Sequence, residues 1–131
     1  MKKTLLLALA TLVFAYDIKT FVTCKNVKDL RPVGITKNFS IKDKKIYAFV
    51  NFTNIKENQL IDFVWEKNVN GVWKMYADVE LPIYTGKRWR TYSSINMQPF
   101  FAGKWRVSIV DNNEVMDSVE FNIDSNTTKG N

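Results

Sequence analysis

The chain has 131 residues, with 19 Lys plus Arg against 13 Asp plus Glu, no histidine and a single cysteine, Cys24. Without histidine there is no Ser-His-Asp or Cys-His nucleophilic site and no histidine metal cluster, and one cysteine closes no intramolecular disulfide and builds no thiolate zinc site. At 46% hydrophobic and 24% charged, the composition is that of one ordinary globular domain, neither disordered nor a multi-span membrane chain.

Residues 1–15 open with Lys2 and Lys3 and continue as the apolar run Leu5 to Ala15. This is the layout of a secretory signal peptide. Val13 and Ala15 stand at the small-residue positions before a cut, so the mature chain is expected to begin at Tyr16. The run falls short of the roughly 20 residues of a membrane span, which leaves an uncleaved anchor as the alternative. Cys24 does not follow the run directly, and a lipoprotein is rejected. Losing Lys2 and Lys3 lowers the formal charge from +6 to +4. That mild basicity, together with export, argues against a nucleic-acid partner. The expected location is periplasmic or secreted, peripheral to a membrane at most. For Cys24 an oxidising compartment leaves a buried thiol, an intermolecular disulfide or a reactive site, and burial is the ordinary state of a free cysteine.

From residue 16 to 123 short runs rich in Val, Ile, Phe, Tyr and Trp recur between Asn, Gly, Pro and Lys clusters. The pattern predicts strands near 18–27, 38–41, 45–53, 59–67, 72–81, 87–95, 103–111 and 115–123. Seven to eight strands in one domain predict an all-β antiparallel sandwich of immunoglobulin-like kind. Asn70-Gly71 reads as a tight hairpin turn, since both residues tolerate positive φ, and residues 55–58 read as a second hairpin loop. Between 72 and 81 the odd positions Trp73, Met75, Ala77, Val79 and Leu81 are apolar, which predicts one core face and one wet face. The last two strands register best with Trp105 opposite Phe121 and Val107 opposite Val119, through a three-residue turn. Asp117 then falls on the apolar face, the sign of a bulge or an edge. The stretch 124–131, DSNTTKGN, lacks apolar residues and is expected to be a disordered tail.

Gly86 to Ser94, GKRWRTYSS, is the densest polar and aromatic cluster. Arg88, Arg90 and Tyr92 share one strand face, and guanidinium planes beside a ring can grip carboxylates, phosphates or sugars. The plainer alternative has Trp89 in the core and the arginines solvated or paired with carboxylates. Tyr47 and Phe49 occupy the face opposite Ile46, Ala48, Val50 and Phe52. Their strand is either covered on both sides or presents an exposed patch. Trp65, Trp73, Trp89 and Trp105 all have core parity, and Trp73, Trp89 or Tyr92 could alternatively form a sugar-binding platform. One ring of Phe100-Phe101 is expected under a loop. Glu114, Asp117 and Glu120, or Asp78 and Glu80, could cluster, yet solvated charges are their ordinary role. Asp124-Ser125-Asn126-Thr127-Thr128 resembles the extended acidic acceptor of bacterial N-glycosylation systems, which makes Asn126 a candidate modification site. Asn38 and Asn51 carry the short form of that pattern inside strands.

Four segments form a set: Arg31-Pro32-Val33 after a Cys-containing strand, Lys45-Ile46-Tyr47-Ala48-Phe49, Arg88-Trp89-Arg90-Thr91-Tyr92-Ser93-Ser94, and Gly103-Lys104-Trp105-Arg106-Val107 with Val115 and Phe121 beyond. On these segments the chain, from Val22 to Ile123, resembles the bacterial family named Domain of Unknown Function 2914. Family members usually carry a histidine two residues before the tryptophan matching Trp65, and here that place is Phe63. The resemblance implies an immunoglobulin-like sandwich of the cell envelope and carries over no functional residues. The sequence therefore leads to an exported, non-catalytic module, without cofactor or metal, that binds an envelope protein or glycan. A carbohydrate-binding module is the first alternative and a carboxylate-only hydrolase the second.

Overall fold

The computed structural model describes residues 15–125, which fold into nine strands. These are β1 (Asp17–Lys28), β2 (Arg31–Ile35), β3 (Asn38–Ser40), β4 (Lys45–Ile55), β5 (Gln59–Val69), β6 (Val72–Ile83), β7 (Gly86–Asn96), β8 (Gly103–Asp111) and β9 (Glu114–Asp124). They form a four-stranded sheet in the order β2-β1-β4-β7 and a five-stranded sheet in the order β3-β9-β8-β5-β6. The all-β sandwich is as expected. Placing β1, β4 and β7 in one sheet and β5, β8 and β9 in the other follows the A-B-E and C-F-G division of immunoglobulin domains, and the buried Trp65 stands on the strand that corresponds to C.

Two features differ from the sequence reading. A ninth strand, β2, carries no strand signal in the sequence, because Pro32 and Gly34 sit in it and its hairpin with β1 turns through Asp29 and Leu30, both at positive φ without a glycine. One pairing, β3 with β9, is parallel. The predicted signal segment lies outside the described residues except for Ala15. Of the expected tail 124–131, Asp124 instead closes β9, its carbonyl accepting a hydrogen bond from Ile41 N at 3.0 Å, and residues 126–131 lie outside the described residues.

The core lies between the sheets. Ile46, Ala48, Val50 and Phe52 of β4 meet Ile61, Phe63 and Trp65 of β5 and Val107 and Ile109 of β8, all fully buried. Both central indoles find acceptors, as buried indole N–H groups usually do, whereas the buried Nε1 of Trp89 has none among the described residues. Trp65 Nε1 donates to Ser93 Oγ at 3.1 Å, which ties β5 to β7 across the two layers, and Trp105 Nε1 donates to Phe101 O at 2.7 Å. Tyr16 packs edge-on against Phe52 and donates to Asp111 Oδ2 at 2.8 Å. Burial and that carboxylate push its hydroxyl pKa far up, so the ring stays neutral. As expected of the Phe100-Phe101 pair, Phe101 is buried and Phe100 exposed.

The turns explain the remaining departures. Asn70 and Gly71 are both at positive φ and close the β5–β6 hairpin as expected. A bulge follows at Tyr76, opposite the step from Trp65 to Glu66, and it reverses the parity of β6. Trp73 and Met75, expected inside, therefore point away from the core, while Ala77, Val79 and Leu81 pack against it. The same device acts in β9. Trp105 lies opposite Phe121 and Val107 opposite Val119, but the turn is the two-residue Asn112-Asn113, both at positive φ, and a bulge at Met116 supplies the missing residue. That bulge leaves Val115 and Asp117 exposed and turns Met116 toward the core. Residues 55–58 are not a hairpin loop, because β4 and β5 belong to different sheets.

Candidate functional site

Successive residues of a strand alternate between faces, so pairing within the four-stranded sheet determines which side chains meet on its outer side. Cross-strand rows there read Ile35, Cys24, Tyr47, Ser94; then Val22, Phe49, Tyr92; then Thr20, Asn51, Arg90; and last Asp17, Thr53, Arg88. Five of the six residues singled out from sequence, Arg88, Arg90, Tyr92, Tyr47 and Phe49, thus share one surface. Trp89 does not. It points inward, half-buried against the core, with its ring 4.9 Å from that of Tyr84.

Tyr47 and Phe49 fit neither of their two expected settings. No second layer covers the outer side of β4 among the described residues, yet Phe49 is only 3% exposed and Cys24 is fully buried, both apart from the main core cluster. Neighbours on the same sheet cover them. Cys24 is flanked by Ile35 and Tyr47, and Phe49 by Val22 and Tyr92, close enough for side-chain packing on a strand face. The Tyr47 and Tyr92 rings stand 5.7 Å apart. Above this floor Val33, Ile35 and Tyr92 are exposed. Cys24 is the buried thiol of the three alternatives, and burial raises its pKa, which makes it a poor nucleophile.

The rim of the surface is basic. Neither Arg88 nor Arg90 has a carboxylate within ion-pair distance among the described residues, so of the plainer alternative the inward Trp89 and the unpaired, solvated arginines are what the structure has, and the pairing is not. Asn51, opposite Arg90, keeps a buried Oδ1 with no hydrogen-bond partner, an arrangement that costs about 1–3 kcal/mol. At the far end Lys25, Lys44, Lys45 and Tyr47 line a small hollow, with Lys25 held 3.7 Å from Asp43.

The outer side of the five-stranded sheet has the opposite character. Arg106 Nε donates to Glu66 Oε1 at 2.6 Å and its guanidinium lies 4.3 Å from the centre of the Trp73 ring, so this arginine is fully engaged. Ser108 and Ser118 share a hydrogen bond of 2.7 Å. Asp62, which sequence reading did not single out, lies opposite Glu80, and the neighbouring Asp78 carboxylate raises its pKa. Glu57, Asp62, Glu80 and Asp111 line an open cleft of about 660 Å³ beside the Asn112-Asn113 turn. Only Asp78 and Glu80 were legible as a pair, from their spacing. In that cleft Asp111 Oδ2 is already committed, accepting from Tyr16 and from Gln59 Nε2 at 2.5 Å. Among the described residues no cluster of three or more His, Cys, Asp or Glu could hold a metal ion. Asn126 lies outside the described residues; Asn38 and Asn51 sit in β3 and β4.

Residues 58–123 match the family described as Protein of unknown function (DUF2914), and the chain belongs to it. Comparison with curated proteins gave no match. Among solved structures the chain is similar to the Pseudomonas fluorescens alkylpurine DNA glycosylase AlkC bound to DNA containing an abasic site analog, with a TM-score of 0.58 and 12% identity. That likeness covers 83% of this chain and 30% of the glycosylase. It is also similar to a β-glucosidase from Listeria innocua in complex with isofagomine, at a TM-score of 0.52 and 11% identity over 83% of this chain and 16% of the enzyme. The chain spans less than a third of either protein. At these identities the likeness is one of fold alone.

Proposed function

We propose that this chain is an exported, non-catalytic sandwich of the bacterial cell envelope that binds an envelope protein through the outer side of its four-stranded sheet. The observation that carries the reading is a single sheet side on which Tyr47 and Tyr92 flank the packed Phe49 and Cys24, with Arg90 and Arg88 continuing along β7 in the next two rows. Aromatic rings and free guanidinium groups beside a rigid apolar cluster are the residue types that dominate protein interfaces. Export rests on the leader-like segment 1–15. Nucleic acid is not the proposed partner, since the balance without the leader is only +4.

The test is in-cell crosslinking of the tagged protein in its own envelope, with wild type beside the Arg88→Glu, Arg90→Glu variant. A recurrent protein partner that the variant loses supports the reading. A partner that the variant retains, or none at all, contradicts it. Recovery of glycan instead favours a carbohydrate-binding module. That alternative has lost ground, because Trp73 is covered by Arg106 and Trp89 is turned inward, leaving Tyr92 of its three aromatics exposed. A carboxylate-only hydrolase draws on the cleft around Asp62 and Glu80. It requires that wild type, and not Asp62→Asn, release sugar or peptide products from envelope material.

A further inference from the structure

We infer that the proposed face takes its partner by strand addition: an extended acidic segment of another protein pairs with the free edge of β7. The inference rests on the proposed binding role and specifies its mode. Each sheet has two edges, and a free edge is a template for pairing unless something blunts it. The strand β3 has three residues, and β2 has five and contains Pro32. On the long edge of β6 the bulge at Tyr76 and Pro82 interrupt the backbone. The fourth edge lacks such interruptions. β7 runs for eleven residues without proline or bulge, paired residue by residue with β4 from Arg88 to Asn96, and no strand lies on its other side among the described residues.

The direction of its free hydrogen-bonding groups follows from one bond. Met97 N donates to Lys44 O at 2.9 Å, in the same register as the β4–β7 ladder. Antiparallel pairs alternate between bonded and non-bonded, so the odd residues of β7 bond to β4. Arg88, Arg90, Tyr92, Ser94 and Asn96 therefore aim their N–H and C=O groups out of the sheet. The same residues place their side chains on the outer side. A strand added here gains a backbone ladder while its alternate side chains land beside Arg88, Arg90 and Tyr92, the usual division of strand addition into affinity and specificity. Charge selects the occupant. Two free guanidinium groups favour carboxylates directly across from them, whereas a second copy of β7 would crowd four arginines onto two neighbouring strands.

The probe is a fluorescent peptide of alternating Glu and Val as long as β7, titrated against the purified protein by anisotropy. Two further peptides carry N-methyl groups, one on the Glu amides and one on the Val amides. The expected result is binding by the parent peptide, a loss of roughly tenfold or more on methylating one alternate set, and little change on methylating the other. Ser94→Pro removes an outward N–H without touching the β4 ladder and should weaken binding similarly. Arg88→Glu, Arg90→Glu should abolish it. Equal binding of all three peptides, lost only in the arginine variant, overturns strand addition and leaves the face standing. No binding of the parent peptide overturns the inference. A dimer that Ser94→Pro dissolves also overturns it, by making a second copy the occupant. Failure of the face itself is read from the crosslinking experiment above, in which the arginine variant keeps its partner.

Discussion

The two outer surfaces of this sandwich use the same residue types to different ends. On the five-stranded sheet Arg106 is spent inside the molecule, bonded to Glu66 and stacked on Trp73, and the remaining carboxylates stand in water or beside each other. On the four-stranded sheet Arg88 and Arg90 have no carboxylate partner among the described residues, and the aromatics in the rows beside them pack together instead of standing as solvated side chains. An arginine satisfied at home stabilises the fold, while one left unpaired beside a packed apolar cluster is available to something else. The difference lies in the neighbours that strand register supplies to each arginine.

That contrast is sharpest at Phe49. Phe49→Ala should cost about 3 kcal/mol, the loss expected of a buried aromatic, whereas Val64→Ala, half-exposed on the other sheet, should cost about 1 kcal/mol or less. Chemical denaturation of both variants checks this, and equal costs would mean that the floor is not a packed layer. Next in size, Arg106→Ala should destabilise by about 1–2 kcal/mol through loss of the ion pair and the ring contact. Arg90→Ala should stay within about 0.5 kcal/mol. Thermal melts that rank them the other way would reverse the assignment of engaged and free arginines.

The smallest effect concerns the acidic side. The Asp78 carboxylate raises the pKa of Asp62 above its ordinary 3.8, so the folded protein holds the Asp62 proton more tightly than the unfolded chain does. Stability from this group is present at low pH and is lost as pH rises through the raised value. Asp62→Asn should therefore gain slightly at neutral pH, with the gain fading as pH falls toward 3.8. Denaturant midpoints measured across that range check the sign, and a gain that grows on acidification contradicts it.

Much of this was legible in the sequence, and what was not has identifiable causes. Period-two alternation indicated the sandwich, the register of Trp105 with Phe121, and the shared side of Arg88, Arg90 and Tyr92, because each depends only on parity along a strand. Parity fails at a bulge. The insertions at Tyr76 and Met116 carry no compositional mark, and for that reason Trp73 and Met75 were expected inside and are not, and the β8–β9 turn has two residues in place of the expected three. The chain also gave no sign that Arg106 would meet Glu66, or that Asp62 would lie opposite Glu80, since both are contacts between strands. The covering of Phe49 was hidden for the same reason, as it depends on Val22 and Tyr92 from two other strands.

The central claim is that the four-stranded side, and not the five-stranded one, meets the partner. The most direct measurement places a photo-reactive amino acid at Tyr92 in one protein and at the exposed Met75 in another, each irradiated in the native envelope. Adducts from position 92 that disappear in the Arg88→Glu, Arg90→Glu background, with none from position 75, are the predicted result. Adducts from position 75 alone, or equal yields from both, would contradict the account.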